Sequence, residues 1–582
     1  MKKFINAIPN VVAETLKGAA TLNPGLSLMK GENVIIRSDL TELLSSRQVS
    51  IISGGGSGHE PAHFGYVGPG MLTAAVAGEV FTSPSIDSIL QAIRAVSSNT
   101  GVLIIIKNYT GDRLNFGLAA EIARSEGIPV ETVVVADDVA LALSENHAGR
   151  RGIAGTVLIH KIAGAAAHEG CSLSQVADEA RSAANDLGTM GVALSSCTIP
   201  ASGVSNSGLS LADNEIEWGL GIHGEPGVER GPMLSADAIV ERLLKSIISC
   251  LAINQGDHVV LLVNNLGGTP SGELHIIVNS AVMFLNRFEI HPERVWAGAF
   301  LTSLETAGIS LSLMKVDDQR LKRLDAPAHT SAWPIHLGRI GDSNQTIAFK
   351  APRIHIDTEA DISNTHSTIP LKIYKVIEAA CRSIIDSERV LTEMDRKIGD
   401  GDLGISLSRG ASAILASLDR YRLKSNWGSI LRYLAGVIRH DMGGTSGALY
   451  STMLLRAGSI LEQYDQPTLS DWSRGFQAAV EAIMDIGGAE VGDRTMIDAL
   501  FPATRSFAAM TAQSNDIQSI LNITVEAAKQ GAESTSSMRP RRGRASYMGD
   551  RVLGFVDPGA HAVTIWLTAI RDAIVGDMLS KK

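Results

Sequence analysis

The sequence predicts a chain in two parts: an α/β N-terminal region made of two α/β subdomains, then an all-α C-terminal region. Three observations predict this. Short apolar runs alternate with helical patterns over the first part. A stretch without periodicity follows. Helical spacing then continues almost to the end.

The N-terminal elements come in order. Gln48–Ser53 (QVSIIS) is a short apolar run that leads into GGGSGHEP. Ser83–Val96 opens with a Ser-Pro start signal and continues with helical spacing. Gly101–Lys107 (GVLIIIK) is apolar almost throughout, as expected of a strand buried on both faces. Phe116–Glu126 reads as a helix and Val130–Ala136 as a strand. After a Gly/Ser-rich stretch at Ala201–Ser210, Ile239–Ile253 reads as a helix. His258–Asn264, Val295–Leu301 and Ile309–Val316 read as strands. These elements place an α/β domain over 1–335, with subdomains at about 1–190 and 191–335.

From Ala326 onward APAHTSAWP and then DTEADISNTHST lack sustained periodicity, and 336–368 reads as a linker. Beyond it, Ile373, Val376, Ile377, Ala380 and Ile384 fall on one helical face. Similar patterns follow at Ala411–Leu423, Ile430–Arg439, Ser451–Glu462, Trp472–Met484, Met496–Gln513, Ile517–Gly531 and Ala560–Ile574. Short connections favour a bundle of neighbouring helices over 369–582.

Bulk properties narrow the function. At about 150 residues per domain, 582 residues suggest three or four compact units. A content of 45% hydrophobic and 19% charged residues supports an ordinary globular core. With 51 basic against 61 acidic residues, the net charge of -10 argues against nucleic-acid binding. No run of about 20 apolar residues suggests a membrane span. Cys171, Cys197, Cys250 and Cys381 form no CxxC pair, which argues against a disulfide framework or zinc site. A cytoplasmic protein is expected.

Two groups of segments carry chemistry. Ser53–Pro61 (SGGGSGHEP) places glycines after an apolar strand, where exposed backbone amides bind oxygen-rich ligands. It lacks the lysine of a phosphate-binding P-loop, and by itself it reads first as a tight turn with a surface histidine. Lys107–Gly117 (KNYTGDRLNFG) also follows a buried strand. Lys107 and Asp112 there fit a ligand crevice beyond the strand ends and a plain ion pair equally well. Gly219–Gly227 (GLGIHGEPG) leaves His223 sterically accessible, and an accessible neutral imidazole can act as acid, base or nucleophile.

In the second group, DRKIGDGDLG clusters Asp395, Asp400 and Asp402. Hard oxygen ligands of this kind suit Mg²⁺, and the same spacing suits a solvated acidic turn. Met442–Tyr450 (MGGTSGALY) is a glycine segment before a helix, where Thr445 and Ser446 add hydroxyls to backbone amides that bind phosphate. Gly492–Leu500 and Gly543–Ala560 are two further polar connections.

GGGSGHEPAHFGYVGPGMLTAAVAGEVFTSPS, KNYTGDRLNFGLAAE, RGIAGTVLIHKIAG, GVALSSC, GIHGEPG and NNLGG, in this order, resemble the substrate-binding domain of dihydroxyacetone kinases. The resemblance covers nearly all of 1–335. It implies that His223 holds the ketose as a covalent hemiaminal and that His59 hydrogen-bonds the substrate. It further implies that Asp112 accepts the hydroxyl proton. Lys107 and the backbone of Gly55, Gly56, Ser57 and Gly58 complete the pocket. A hemiaminal requires an unhindered carbonyl, so a polyol such as glycerol is excluded by chemistry.

The C-terminal segments resemble the nucleotide-binding domain of the same family, an antiparallel eight-helix barrel, over about Pro370–Ala573. The resemblance implies that Asp395, Asp400 and Asp402 hold two Mg²⁺ ions. Phosphate contacts are implied for Leu403, Gly404, Ile405 and Ser406 and for Thr445, Ser446 and Gly447. Arg494, Asp557, Pro558 and Gly559 match positions that line the nucleotide site. Leu403 departs from the small or polar residue common after GDGD. Fusion of both domains in one chain implies exchange of ATP as co-substrate, and the family implies a homodimer. Three alternatives stay open: a kinase for erythrulose or glyceraldehyde, a lyase cyclising FAD to cyclic FMN, and a ligand sensor. The complete aspartate triad argues against the sensor.

Overall fold

The apolar runs fold as strands because each finds a partner strand in one of two sheets. The computed structural model describes residues 3–141, 149–200, 211–334, 371–417, 426–542 and 544–579. The expected linker lies outside them. The chain divides into two compact units, Met1–Thr346 and Ile347–Lys582, fewer than its length suggests.

In the N-terminal unit β1 (Leu26–Leu28), β2 (Val34–Arg37), β3 (Ser50–Ser57), β4 (Ala74–Val80), β5 (Val102–Lys107) and β6 (Val130–Val135) form one sheet, ordered β1-β2-β4-β3-β5-β6. The β4-β3-β5-β6 part is parallel and the β1-β2-β4 edge antiparallel. Alternate residues of β5 serve opposite faces. Ile104 and Ile106 pack with helices Ile86–Val96 and Thr110–Ser125. Leu103 and Ile105 pack with helices Thr156–His168 and Leu173–Asn185.

β7 (Leu187–Ala193), β8 (Glu215–Trp218), β9 (Glu229–Pro232), β10 (His258–Asn265), β11 (His291–Gly298) and β12 (Gly308–Lys315) form a second sheet, ordered β11-β10-β12-β7-β8-β9. Only β10-β11 is parallel there. Val259, Leu261 and Val263 of β10 face helices Ala236–Leu251 and Ser271–Arg287. Val260 and Leu262 join the core that Ile51, Leu103 and Ile105 of the first sheet also line. The two sheets therefore share one core. Helix Thr156–His168 runs through it and is buried at every residue from Thr156 to Ala167.

Two expected boundaries shift. The glycines of GGGS belong to β3 itself instead of a turn after it. β4 continues the ladder beside them, with Gly54 opposite Val76, Gly55 opposite Ala77 and Gly56 opposite Gly78. The strand expected at Val295–Leu301 starts earlier, at His291, because it pairs with β10 from its first residue.

Nine α-helices are described in the C-terminal unit: Leu371–Asp386, Glu388–Ile398, Leu403–Ala416, Trp427–Asp441, Gly444–Leu461, Leu469–Gly487, Ile497–Gln513, Ile517–Ser534 and Pro558–Leu579. All except Glu388–Ile398 pack as a ring of neighbours, in which Pro558–Leu579 returns to Leu371–Asp386. Thr468 and Asp471 form a capping box at one helix start, and Gly488 ends that helix in a left-handed conformation at φ 61°. Two helices begin earlier than periodicity suggests, at Leu403 and Gly444, so GDGD and MGGT are helix starts. Among the described residues no helix is long and apolar enough to cross a membrane.

Ile162, fully buried in the central helix, reports on the shared core. Ile162→Ala is expected to lower the stability of the N-terminal unit by about 2–5 kcal/mol. Amide exchange in β5 and β10 of the full chain checks this, and both strands should lose protection together.

Candidate functional site

β5 pairs with β3 only as far as Ser53, opposite Ile105, whereas β4 accompanies β3 to Ser57. The far end of β3 is thus open on the β5 side. The Lys107 side chain, at the end of β5, fills that opening with 1% of its surface exposed. Its ammonium donates to Gly54 O (3.1 Å) and His63 Nε2 (3.0 Å) and lies 3.5 Å from Asp112 Oδ2. Asp112 comes from the first turn of helix Thr110–Ser125 and also accepts from the Ser83 hydroxyl. A Cβ at Gly55 would fall 2.2 Å from Lys107 Nζ and 3.3 Å from Asp112 Oδ2. Only glycine fits between this strand and these two charges.

His59 follows β3 and is fully buried. Its Nδ1 lies 2.7 Å from Thr302 O. A carbonyl only accepts, so Nδ1 carries the proton and Nε2 the lone pair. Nε2 is buried and has no partner among the described residues. Burial, then the charges of His223 and Lys107, hold His59 well below the usual histidine value, so the ring is neutral. The ring stacks on Phe81 (centroids 5.1 Å) and meets His223 edge-on (4.8 Å).

His223 lies in the connection between β8 and β9. Its ring contacts Phe81 (5.3 Å) and Tyr109 (4.7 Å). Glu225 Oε2 accepts its backbone amide at 3.0 Å, and Glu225 Oε1 lies 2.8 Å from Nδ1. Burial alone would raise the Glu225 carboxyl. Hydrogen bonding to His223 and its charge outweigh burial and hold Glu225 at about 2. An ionised carboxylate only accepts, so His223 Nδ1 carries a proton and Nε2 is the ring nitrogen that Glu225 does not engage. The preceding loop is tied down by Arg151, which donates to Gly219 O (2.6 Å) and to Asp138 (2.7 Å).

The structure therefore brings together Gly55, His59, Lys107, Asp112 and His223. Gly56 stands at the same tip, where a Cβ would meet Thr82 N at 2.6 Å. Ser57 and Gly58 are engaged elsewhere. Ser57 Oγ donates to Gly78 O (2.7 Å). The Gly58 amide donates to Glu60 (3.0 Å), and its carbonyl accepts from the Leu304 amide (2.8 Å). The sequence reading missed Phe81, Tyr109, Glu225, His63 and Thr302. The first four stand inside the motif segments already quoted. Thr302 carried no signal, because its bond to His59 spans 243 positions.

In the helical unit, Asp395, Asp400 and Asp402 each place a carboxylate oxygen within 4.8 Å of the others. Asp395 lies in the last turn of helix Glu388–Ile398, and its Oδ2 accepts the Leu403 amide at 3.2 Å. Asp402 occupies the N-cap of helix Leu403–Ala416. Gly404 packs where a Cβ would fall 2.2 Å from Glu388 O, while Ile405 is exposed and Ser406 half-buried. Thr445, Ser446 and Gly447 form the first turn after Gly443 (φ 65°). Arg409 pins the chain just before that turn by donating to the carbonyls of Asp441 and Met442, both at 2.6 Å.

Arg494 is buried in a left-handed backbone conformation (φ 63°). It donates to Phe555 O (2.8 Å) and Val552 O (3.3 Å), and Nε and Nη1 have no partner among the described residues. Buried guanidinium donors of this kind suit an anion. Asp557 caps the last helix by accepting the Ala560 amide (2.8 Å), with Pro558 and Gly559 between them. Burial pushes the Asp557 carboxyl up to about 6, against the bonding and charge that lower it.

The folded chain thus holds the Asp557 proton to about pH 6, whereas the unfolded chain loses it near 3.8. Between those values Asp557 makes stability fall as pH rises. Asp557→Asn removes this contribution and keeps the cap. Calorimetry should show its Tm gaining on the parent from pH 4 to pH 7; a constant difference would contradict the shift.

The Dak1 domain model matches residues 17–332 and the DAK2 domain model residues 397–572. The triokinase/FMN cyclase of Homo sapiens is 41% identical over 582 residues, covering 98% of this chain and 99% of its own. The dihydroxyacetone kinase of Pichia angusta is 36% identical over 599 residues, covering 96% of each. The crystal structure of the dihydroxyacetone kinase from C. freundii in complex with AMP-PNP and Mg²⁺ matches with a TM-score of 0.61 at 33% identity. It covers 98% of this chain and 99% of that one. With both domains matched and relatives alike over nearly their whole length, the chain belongs to the dihydroxyacetone kinase family, phosphotransferases with an alcohol acceptor.

Proposed function

We propose that the protein phosphorylates dihydroxyacetone at the expense of ATP, with the ketose held as a hemiaminal on His223. The observation that carries this reading is the pairing of His223 with His59, whose buried Nε2 lone pair has no partner among the described residues. His223 Nε2 attacks the ketose carbonyl. The N–C bond forms as the C=O π electrons move to oxygen, which takes a proton from solvent while the ring gives up its Nδ1 proton past Glu225 to solvent, leaving a neutral adduct. His59 Nε2 accepts a substrate hydroxyl. Asp112 takes the proton of the terminal hydroxyl as the hydroxyl oxygen bonds to the γ-phosphorus of ATP and the bond from that phosphorus to ADP breaks. Lys107, beside Asp112, offsets the charge on that carboxylate.

The three aspartates supply hard oxygen donors that fit Mg²⁺, which would neutralise triphosphate charge when bound. We assign Leu403–Ser406, Thr445–Gly447, Arg494 and Asp557–Gly559 to the nucleotide. We also propose the division at 1–335, 336–368 and 369–582 and an eight-helix barrel for the last part. In-line transfer needs reacting atoms about 3–3.5 Å apart. Closure within one chain or across a homodimer provides it.

A second reading, cyclisation of FAD to cyclic FMN, is favoured by the human relative, a triokinase/FMN cyclase. Incubation with FAD and Mn²⁺ tests it, and failure to form the cyclic product would exclude it.

ADP release measured over dihydroxyacetone, both erythruloses, glyceraldehyde and glycerol decides the acceptor. Dihydroxyacetone should give the highest kcat/KM and glycerol none; turnover of glycerol would contradict the hemiaminal. His223→Ala should raise KM for the ketose at least about tenfold. An unchanged KM would rule out its covalent role. Asp400→Asn should lose Mg-ATP turnover and still bind ketose, as read by calorimetric titration.

A further inference from the structure

Beneath Lys107 lies a cluster of buried polar groups that the reaction above does not use. His63 is 5% exposed, His160 is fully buried, and their rings meet edge-on with centroids 5.1 Å apart. His160 belongs to the central helix that both sheets enclose. His63 Nδ1, both ring nitrogens of His160 and Thr156 Oγ1 are buried without partners among the described residues. Tyr66 packs on His160, but its hydroxyl is committed to Phe300 O at 2.6 Å. Leaving several polar atoms buried and unpaired costs about 1–3 kcal/mol each. A core built only for stability would place apolar side chains here.

Among the described residues, the one bond this cluster makes toward the site runs from Lys107 Nζ to His63 Nε2. An ammonium is donor-only, so Nε2 must carry the lone pair and Nδ1 the proton. Lys107 then has three acceptors: Gly54 O at 3.1 Å, His63 Nε2 at 3.0 Å and Asp112 Oδ2 at 3.5 Å. The carboxylate is the most distant of the three. His63 and Gly54 draw the ammonium back along the strand and keep it from closing on Asp112. Burial and then the charge of Lys107 hold His63 well below the usual histidine value, which keeps its lone pair available to the ammonium.

We propose that His63, backed by His160, is a positioning residue: it holds the Lys107 ammonium at the tip of β3, near Asp112 without a direct hydrogen bond to it. The carboxylate then stays able to take the substrate proton while the cation offsets its charge. Without His63, the ammonium is one acceptor short and closes onto Asp112. This proposal rests on the ketose-kinase reading.

The test compares His63→Leu with His63→Gln in the full chain. Glutamine keeps an acceptor for Lys107, and leucine fills the space without one. The leucine variant should lose kcat by about 10- to 100-fold, with KM for dihydroxyacetone within about threefold of the parent. The glutamine variant should keep kcat within about threefold. Carbon-13 NMR of dihydroxyacetone labelled at the carbonyl should still show the His223 adduct in both. Equal loss in the two variants overturns the proposal, as does parental kcat in the leucine variant. Loss of the adduct together with kcat also overturns it, since His63 would then be merely structural. If the parent turns over no ketose, the kinase reading fails. Nitrogen-15 NMR of the parent still decides the contact: a proton on His63 Nδ1 upholds it and one on Nε2 overturns it.

Discussion

Beyond Ser53, β3 pairs with a strand on one edge only, and the candidate site is built into the edge left open. Lys107 and Asp112 enter there because Gly55 has no side chain. The same tip carries His59, whose ring bonds across to Thr302, just after the second sheet's β11. His223 arrives from the connection between β8 and β9. None of these residues would meet if the sheets packed independently. The core they share around helix Thr156–His168 holds them in one place.

Charge is distributed unevenly within that site. His59 and His63 are kept neutral by burial and by nearby positive charge, while Glu225 is kept ionised by His223. Each of these two neutral rings therefore has a defined lone pair. The contacts to Thr302 and Lys107 place it on Nε2 in both. A small ketose offers few contacts, so a covalent anchor and aimed lone pairs do what contact area cannot. The helical unit works the other way. Asp395, Asp400 and Asp402 sit close together and half-buried or exposed, a cluster of like charge that favours a bound cation.

Much of the fold was legible in the sequence because the physics behind it is local. GVLIIIK reads as a doubly buried strand, and the 3.6-residue spacing of Ile373 to Ile384 reads as a helix, with no need to know what packs on them. The glycine run of β3 was misplaced because its strand character comes from the neighbouring β4, whose paired residues lie 22 positions away in sequence. The starts at Leu403 and Gly444 were missed because they depend on the Asp395 carboxylate and the Gly443 backbone, not on apolar spacing. Motif likeness pointed to His59, Lys107, Asp112 and His223. It did not point to Thr302, which no pattern marks.

By itself, the sequence determined the α/β-then-α order, the residue types available for chemistry, and the family to which they belong. These follow from periodicity and from long motifs, both readable along the chain. Only the tertiary structure decided which lone pair His59 and His63 present, that the Ser57 hydroxyl is committed to Gly78 O, and that His63 stands behind Lys107. Those outcomes depend on donors and acceptors brought within about 3 Å by packing, and distance along the chain carries no record of them.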